Sequence, residues 1–300
     1  MRSVERLLRD ARADDRSIRL DCTADWLATH AADVSVCGVR VAAENDLAAG
    51  YVRHAIIPTD AQQLTAGDVE LLGSFLAAEE TPRGLCTEWG RLPLDAPAVR
   101  AVLSEAEGPG FRPHHGSVYR WGRFEGRLVD VLTAPPDSLT TTGFDPRIRQ
   151  YSVTPGGRWV GMHIDNAVSE YGNGERFAHA QRVGAADRRL LCNIGPGVRH
   201  LVMALNLTAL HVSEHVSPGD ADNVPSLRQL WDFLGKEPSR AETTVCIRVR
   251  LEPGGYVVFP AGIAIHDGST LGSSEESRAI VLIGTLPRRT PMDAELIAAD

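Results

Sequence analysis

The stretch RLEPGGYVVFPAGIAIHDGST, residues 250–270, decides how the rest of the chain is read. P-G-G between two apolar runs is turn chemistry, because Pro presets φ and Gly admits conformations that other residues avoid. TTVCIRVRL and YVVFP on either side therefore read as the two strands of a hairpin over residues 243–260. After F-P comes a further short strand that carries His266. The same texture recurs upstream. RIRQYSVT, TPGG and RWVGMHID over 147–165 form a predicted hairpin, as do RRLLCNI, GPG and VRHLVMALN over 188–206. SRAIVLIGTL, 277–286, is the last predicted strand. Many short strands divided by Gly/Pro turns predict a mainly β fold, a sandwich or barrel.

Between the second and third hairpins, NVPSLRQLWDFLGK (223–236) has helical apolar spacing, Pro near its start and Gly at its end, so a helical insertion is expected over about 207–242. The N-terminal half reads as mixed α/β. Helices are predicted in VERLLRDA, over 65–80 with Thr65 as cap, and over 96–107 before G-P-G. Residues 37–44 read as a strand, and 111–133 as one or two strands. With no Ser/Gly/Pro-rich linker, residues 1–300 read as one integrated domain: 1–146 packs on a core at 147–286, followed by a tail at 287–300.

Composition narrows the function. An apolar content of 43% and a charged content of 23% over 300 residues are those of a soluble globular protein. The net charge of −8 argues against a broad phosphate-binding surface and so against nucleic acid as a partner. No apolar run approaches the ~20 residues that span a bilayer. Five scattered cysteines without C-x-x-C argue against a disulfide framework and a Cys-rich zinc module. The N-terminus lacks an apolar signal core, and a cytoplasmic location is expected.

GMHIDN, 161–166, carries the chemistry. On a strand, residues i and i+2 face the same way, so His163 and Asp165 share a face. An imidazole and a carboxylate are two-thirds of the two-His, one-carboxylate face that leaves open positions on Fe(II). His266, on a neighbouring predicted strand, fits as the third ligand.

The ordered set YSVTPGGRWVGMHIDN, RLEPGGYVVFPAGIAIHDGST and SRAIVLIG resembles the Fe(II)/2-oxoglutarate-dependent oxygenase superfamily over roughly residues 147–286. The resemblance implies a double-stranded β-helix (jelly-roll, cupin-like) core. It implies iron held by His163, Asp165 and His266, and 2-oxoglutarate bound through Arg278. It also implies hydroxylation of an unactivated C–H of a small molecule, an amino acid or natural-product intermediate, with O₂ consumed and succinate and CO₂ released. Asp165 stands where related halogenases carry Gly or Ala, which favours hydroxylation and leaves desaturation or ring formation open. The span of 101 positions between Asp165 and His266 is long for the family, and the helical insertion accounts for it. An R-x-S at Arg278 is absent.

Further candidates are Tyr151 and Asn193 for the cosubstrate, and Arg158, Trp159, Asn166 and Arg189 for the substrate. Alternation puts Arg189, Leu191 and Asn193 on one face. Three other readings stay open: a metal-dependent cupin-like enzyme that does not use 2-oxoglutarate, a non-catalytic jelly-roll binding module, and a zinc peptidase. The last rests on HVSEH, 211–215, which matches H-x-x-E-H through His211, Glu214 and His215. A homodimer is compatible with the sequence.

Overall fold

Several of the Gly/Pro turns do not fold the chain back on itself. They carry it across a gap between two sheets. The computed structural model describes residues 4–7, 30–77, 88–111, 117–144, 158–165, 188–219 and 225–285. The first strands are β1 (Val34–Cys37), β2 (Val39–Val41), β3 (Tyr51–Pro58), β4 (Gln62–Gln63), β5 (Glu88–Arg91), β6 (Val118–Trp121), β7 (Phe124–Ala134) and β8 (Gly143–Phe144). The later ones are β9 (Arg158–Gly161), β10 (Arg188–Asn193), β11 (Arg199–Thr208), β12 (Cys246–Leu251), β13 (Gly255–Phe259), β14 (Ala264–Ser269) and β15 (Ser277–Thr285). The helices are α1 (Glu44–Ala48), α2 (Ala66–Ala77), α3 (Pro97–Glu107), α4 (Ala209–Val216), α5 (Leu227–Gly235) and α6 (Pro238–Thr243).

The architecture is mainly β, with antiparallel sheets curled into a half-barrel. One sheet runs β14-β11-β12-β1-β4, a second β5-β13-β10-β15-β7-β6, and a third β2-β3-β9-β8.

This order corrects two predicted hairpins. β10 lies in the six-stranded sheet between β13 and β15, whereas β11 pairs with β12 and β14 in the five-stranded sheet. β12 and β13 are split in the same way. The physical reason is visible in the turns, whose amides bond to neighbouring strands. Ile194 and Gly195 N–H both donate to Arg278 O, at 2.8 and 2.9 Å, and Gly254 N–H donates to Asn193 O at 2.7 Å. The first strand of the third predicted hairpin, RIRQYSVT, lies outside the described residues. β9, its second strand, pairs in parallel with β3 and antiparallel with β8.

The predicted helices correspond to α2, α3 and α5, and residues 4–7 are helical. At α2 the Thr65 N–H donates to Asp68 Oδ2 at 2.9 Å and the Asp68 N–H donates to Thr65 Oγ1 at 3.3 Å, a reciprocal cap. α5 is capped in the same way by Ser226 and Gln229. The strand expected over 37–44 divides at Gly38: β1 joins β12 and β2 joins β3. Residues 111–133 contribute two strands, β6 and β7, paired as a hairpin.

The N-terminal half is woven into the core sheets. β7 pairs with β15 from Ser277↔Ala134 to Thr285↔Glu125, with a bulge between Val281 and Leu282. The outer face of the six-stranded sheet is covered by α3, whose Val99 and Val102 pack with Phe124, Leu128, Leu190, Ile280 and Leu282. β15 is therefore apolar on both faces. Among the described residues no helix is long and apolar enough to cross a membrane.

Candidate metal centre

The site begins at a glycine. Gly161 ends β9 with φ +69°, and a Cβ there would lie 2.1 Å from Ile56 O. Only glycine allows β9 to run this close to β3 and then turn. Two residues on, His163 meets His266 directly across an antiparallel bridge. Each backbone N–H of the pair donates to the other's carbonyl at 2.8 Å. Residues opposed in this way project their side chains to the same side, and the imidazole centroids stand 4.4 Å apart. Asp165 follows at i+2 and is tied by its N–H to Ala261 O at 3.1 Å.

Hydrogen bonding sets the tautomers. Nδ1 of His163 lies 2.9 Å from Gly161 O, and Nδ1 of His266 lies 2.9 Å from Ala264 O. A carbonyl only accepts, so each Nδ1 carries the hydrogen and each Nε2 keeps its lone pair. Those Nε2 atoms face Asp165, 3.6 Å from Oδ1 for His163 and 4.0 Å from Oδ2 for His266. One ligand atom from each of the three residues lies within 4.8 Å of the others, and the group can hold a metal ion. Among the described residues it is the only His/Cys/Asp/Glu group of three or more that can.

The charge states suit this use. Burial pushes the His266 pKa down to about 3, with the neighbouring His163 adding to the effect. Burial alone would raise Asp165, but Arg189 and the two histidines outweigh it and hold the carboxyl below its usual range. A neutral imidazole and an ionised carboxylate are the forms that ligate metals.

The three ligands open into a cleft lined by both sheets, of about 120 Å³. That is small beside the roughly 300–1,000 Å³ of drug-sized pockets. Thr141, Arg199 and Gly268 line it, as do Asp130, Arg189 and Phe259, the last packed against the His266 ring. Arg199, on β11, is 2% exposed. Its Nη2 donates to Thr141 Oγ1 at 3.1 Å and its Nη1 to Ser277 Oγ at 3.5 Å. Its Nε is buried without a hydrogen-bond partner, and no carboxylate among the described residues forms an ion pair with it. Burial lowers its pKa to about 10, with Asp267 opposing, so it stays a cation at neutral pH. A buried cation without a counter-ion is costly, and an anionic ligand offsets that cost.

The tripeptide His266-Asp267-Gly268 builds this corner. Asp267 is fully buried and accepts from Gly268 N–H at 2.7 Å and from the Thr140 hydroxyl. Thr141 N–H donates to Gly268 O at 2.9 Å. A Cβ on Gly268 would sit 2.1 Å from Thr141 Oγ1 and 3.0 Å from Arg199 Nη2. The missing side chain is what lets the hydroxyl and guanidinium meet.

The structure brings His163, Asp165 and His266 together, with Arg189 paired to Asp165 through Nε and Oδ2. It places Arg278 elsewhere. Arg278 lies on the outer face of β15, 40% exposed, with Nη1 3.3 Å from Glu107 Oε1 at the end of α3. Asn193 is buried beneath a turn, its Nδ2 donating to Gly197 O and Leu251 O at 2.8 Å each. Trp159 stands on β9 beside Gly50. Tyr151, Asn166 and the side chain of Arg158 lie outside the described residues.

The H-x-x-E-H segment is α4. His211 Nδ1 accepts from Thr208 N–H at 3.1 Å, closing a capping box. His215 packs edge-on against Phe233, centroids 5.0 Å apart. Neither belongs to the metal-capable group.

The residues missed by sequence reasoning are Arg199, Thr141, Asp130 and Gly268. Only Arg199 left a signal, a single cation heading the apolar run VRHLVMALN in phase with Leu201. In comparisons with known proteins, no family model matches this chain and no curated protein matches it.

Proposed function

We propose that this protein is a non-haem Fe(II)- and 2-oxoglutarate-dependent oxygenase that hydroxylates a C–H bond of a small molecule. The observation that carries this reading is the pairing, in one small cleft, of a His-Asp-His donor set with a buried guanidinium that forms no ion pair among the described residues. The donor set suits Fe(II) with open coordination positions. The guanidinium suits the far carboxylate of a dicarboxylic cosubstrate. Strand order supports the fold half of the reading. The order β7-β15-β10-β13 in one sheet and β14-β11-β12 in another, with the His163 segment bonded to β14, is compatible with a double-stranded β-helix.

His163, Asp165 and His266 would hold the iron, which when bound supplies oxygen activation coupled to decarboxylation of 2-oxoglutarate. Arg199, with Thr141 and Ser277 fixing its fork, takes over the anchoring role expected of Arg278. Leu132, Leu191, Leu201, Phe259 and Val281 give the cleft apolar walls that exclude water and aim the substrate.

The test is succinate release from 2-oxoglutarate, dependent on Fe(II) and O₂, against a panel of amino acids and other small molecules. Stimulation by one panel member, abolished in Asp165→Ala, is the expected result. Metal-loaded protein that never consumes 2-oxoglutarate contradicts the proposal.

A further inference from the structure

The ion pair between Arg189 and Asp165 spans the cleft from β10 of the six-stranded sheet to the metal-ligating segment of the opposite wall. Its partners are 17% and 21% exposed, so the interaction is shielded from solvent. Among the described residues, the charged groups lining the cleft are Asp130, Asp165, Arg189 and Arg199, alongside His163 and His266. Two acids and two arginines among these lining groups offset one another, with Asp267 buried behind Arg199. A divalent cation adds two positive charges, which a dianion offsets more fully than a monoanion.

We propose that Arg189 holds the place of the metal's charge on Asp165 and thereby couples metal binding to binding of a dianionic ligand. The inference rests on the Fe(II)/2-oxoglutarate reading and adds a thermodynamic consequence to it. The guanidinium weakens the cleft's hold on a divalent cation alone, because two cations then share one carboxylate. It strengthens the hold on cation and dianion together, because its charge is then needed. Linkage makes the effect reciprocal, so the dianion binds better with metal and the metal binds better with dianion by the same factor.

The experiment is anaerobic calorimetry of Co(II), a redox-inert probe, with and without saturating 2-oxoglutarate, on wild type, Arg189→Met and Arg189→Lys. Wild type should bind one Co(II) more tightly by about tenfold or more when 2-oxoglutarate is present. In Arg189→Met, Co(II) alone should bind tighter than in wild type and the enhancement by 2-oxoglutarate should shrink at least severalfold. Arg189→Lys, which keeps the charge but not the fork, should retain the wild-type coupling. Weaker Co(II) binding in Arg189→Met, or undiminished coupling, overturns the inference. A wild type that shows no coupling at all contradicts the cosubstrate reading itself, so the two failures are distinguishable. If Arg189→Met does not fold, a monoanionic 2-oxo acid with the same chelating head serves on wild type. Enhancement by the monoanion equal to that by 2-oxoglutarate overturns the inference, and a smaller one is expected.

Discussion

Two pairs of histidines lie in this chain, one in the cleft between the sheets and one in the helical insertion. In both the backbone meets Nδ1, but in opposite directions: it accepts a hydrogen from the cleft pair and donates one to His211. His163 and His266 each give their Nδ1 hydrogen to a carbonyl two residues back, leaving Nε2 bare and facing Asp165. His211 receives a backbone N–H on Nδ1, so its neutral ring carries the hydrogen on Nε2 and offers a donor where a metal needs a lone pair. The motif on α4 has the better-known spacing and the weaker chemistry. Ligand capacity here follows the hydrogen bond on the other nitrogen, which spacing does not encode.

The largest effect should separate these pairs. Replacing His163, Asp165 or His266 by Ala should weaken metal binding by more than the roughly 10–100-fold typical of changes to residues that only hydrogen-bond a ligand, while His211→Ala and His215→Ala leave it within about twofold, as read by calorimetry. Loss of metal in the α4 variants would reverse the comparison.

A second contrast sets one arginine against another. Arg199→Met should weaken 2-oxoglutarate binding to the metal-loaded protein by about 100-fold, in line with the ~2–5 kcal/mol lost when one partner of a buried charge pair is removed. Arg278→Met should change it less than twofold, because that side chain reaches Glu107 on the outer face. Equal losses would return the anchoring role to Arg278.

Gly268→Ala should be milder. The new methyl collides with Thr141 and crowds Arg199, so a KM for 2-oxoglutarate raised about tenfold is expected, with ~1–3 kcal/mol of overpacking strain lowering Tm by several degrees.

The smallest effect concerns pH in the metal-free protein. His266 at about 3 and His200 at about 4 are depressed below the unfolded 6.5, in both cases first by burial. Between those values the unfolded chain binds protons that the folded chain refuses. Their contribution is thus complete above 6.5 and is lost as pH falls toward 4 and 3. Asp165, held low, acts in the same direction, while Asp130 and Asp267, raised by burial, oppose it. The metal-free Tm should drop from pH 7 to pH 4, and His200→Gln should reduce that drop by a few degrees. An unchanged slope would remove His200 from the explanation.

The sequence made the metal-capable group legible because period-two alternation and strand order both bear on His163, Asp165 and His266. It did not show that Arg278 faces outward, for a physical reason. β15 is buried on both faces, against the cleft through Ala279 and Val281 and against α3 through Ile280 and Leu282. An apolar run with no polar face gives no phase, so nothing in SRAIVLIG tells inward from outward. Two predicted hairpins failed for a related reason. Gly/Pro turns mark where a strand ends, but not which sheet the next strand joins, and β10 to β11 passes from one sheet to another. The corner built by Asp267, Gly268 and Thr141 joins residues more than a hundred positions apart and left no local pattern.

The most direct measurement is an anaerobic titration of Fe(II)-loaded protein with 2-oxoglutarate, followed by visible absorption. A metal-to-ligand charge-transfer band is expected in wild type, saturating at one 2-oxoglutarate per iron. It should persist in Arg278→Met, need far more 2-oxoglutarate in Arg199→Met, and vanish in Asp165→Ala. A wild-type protein that binds Fe(II) yet shows no such band at saturating 2-oxoglutarate would contradict the assignment of the cleft.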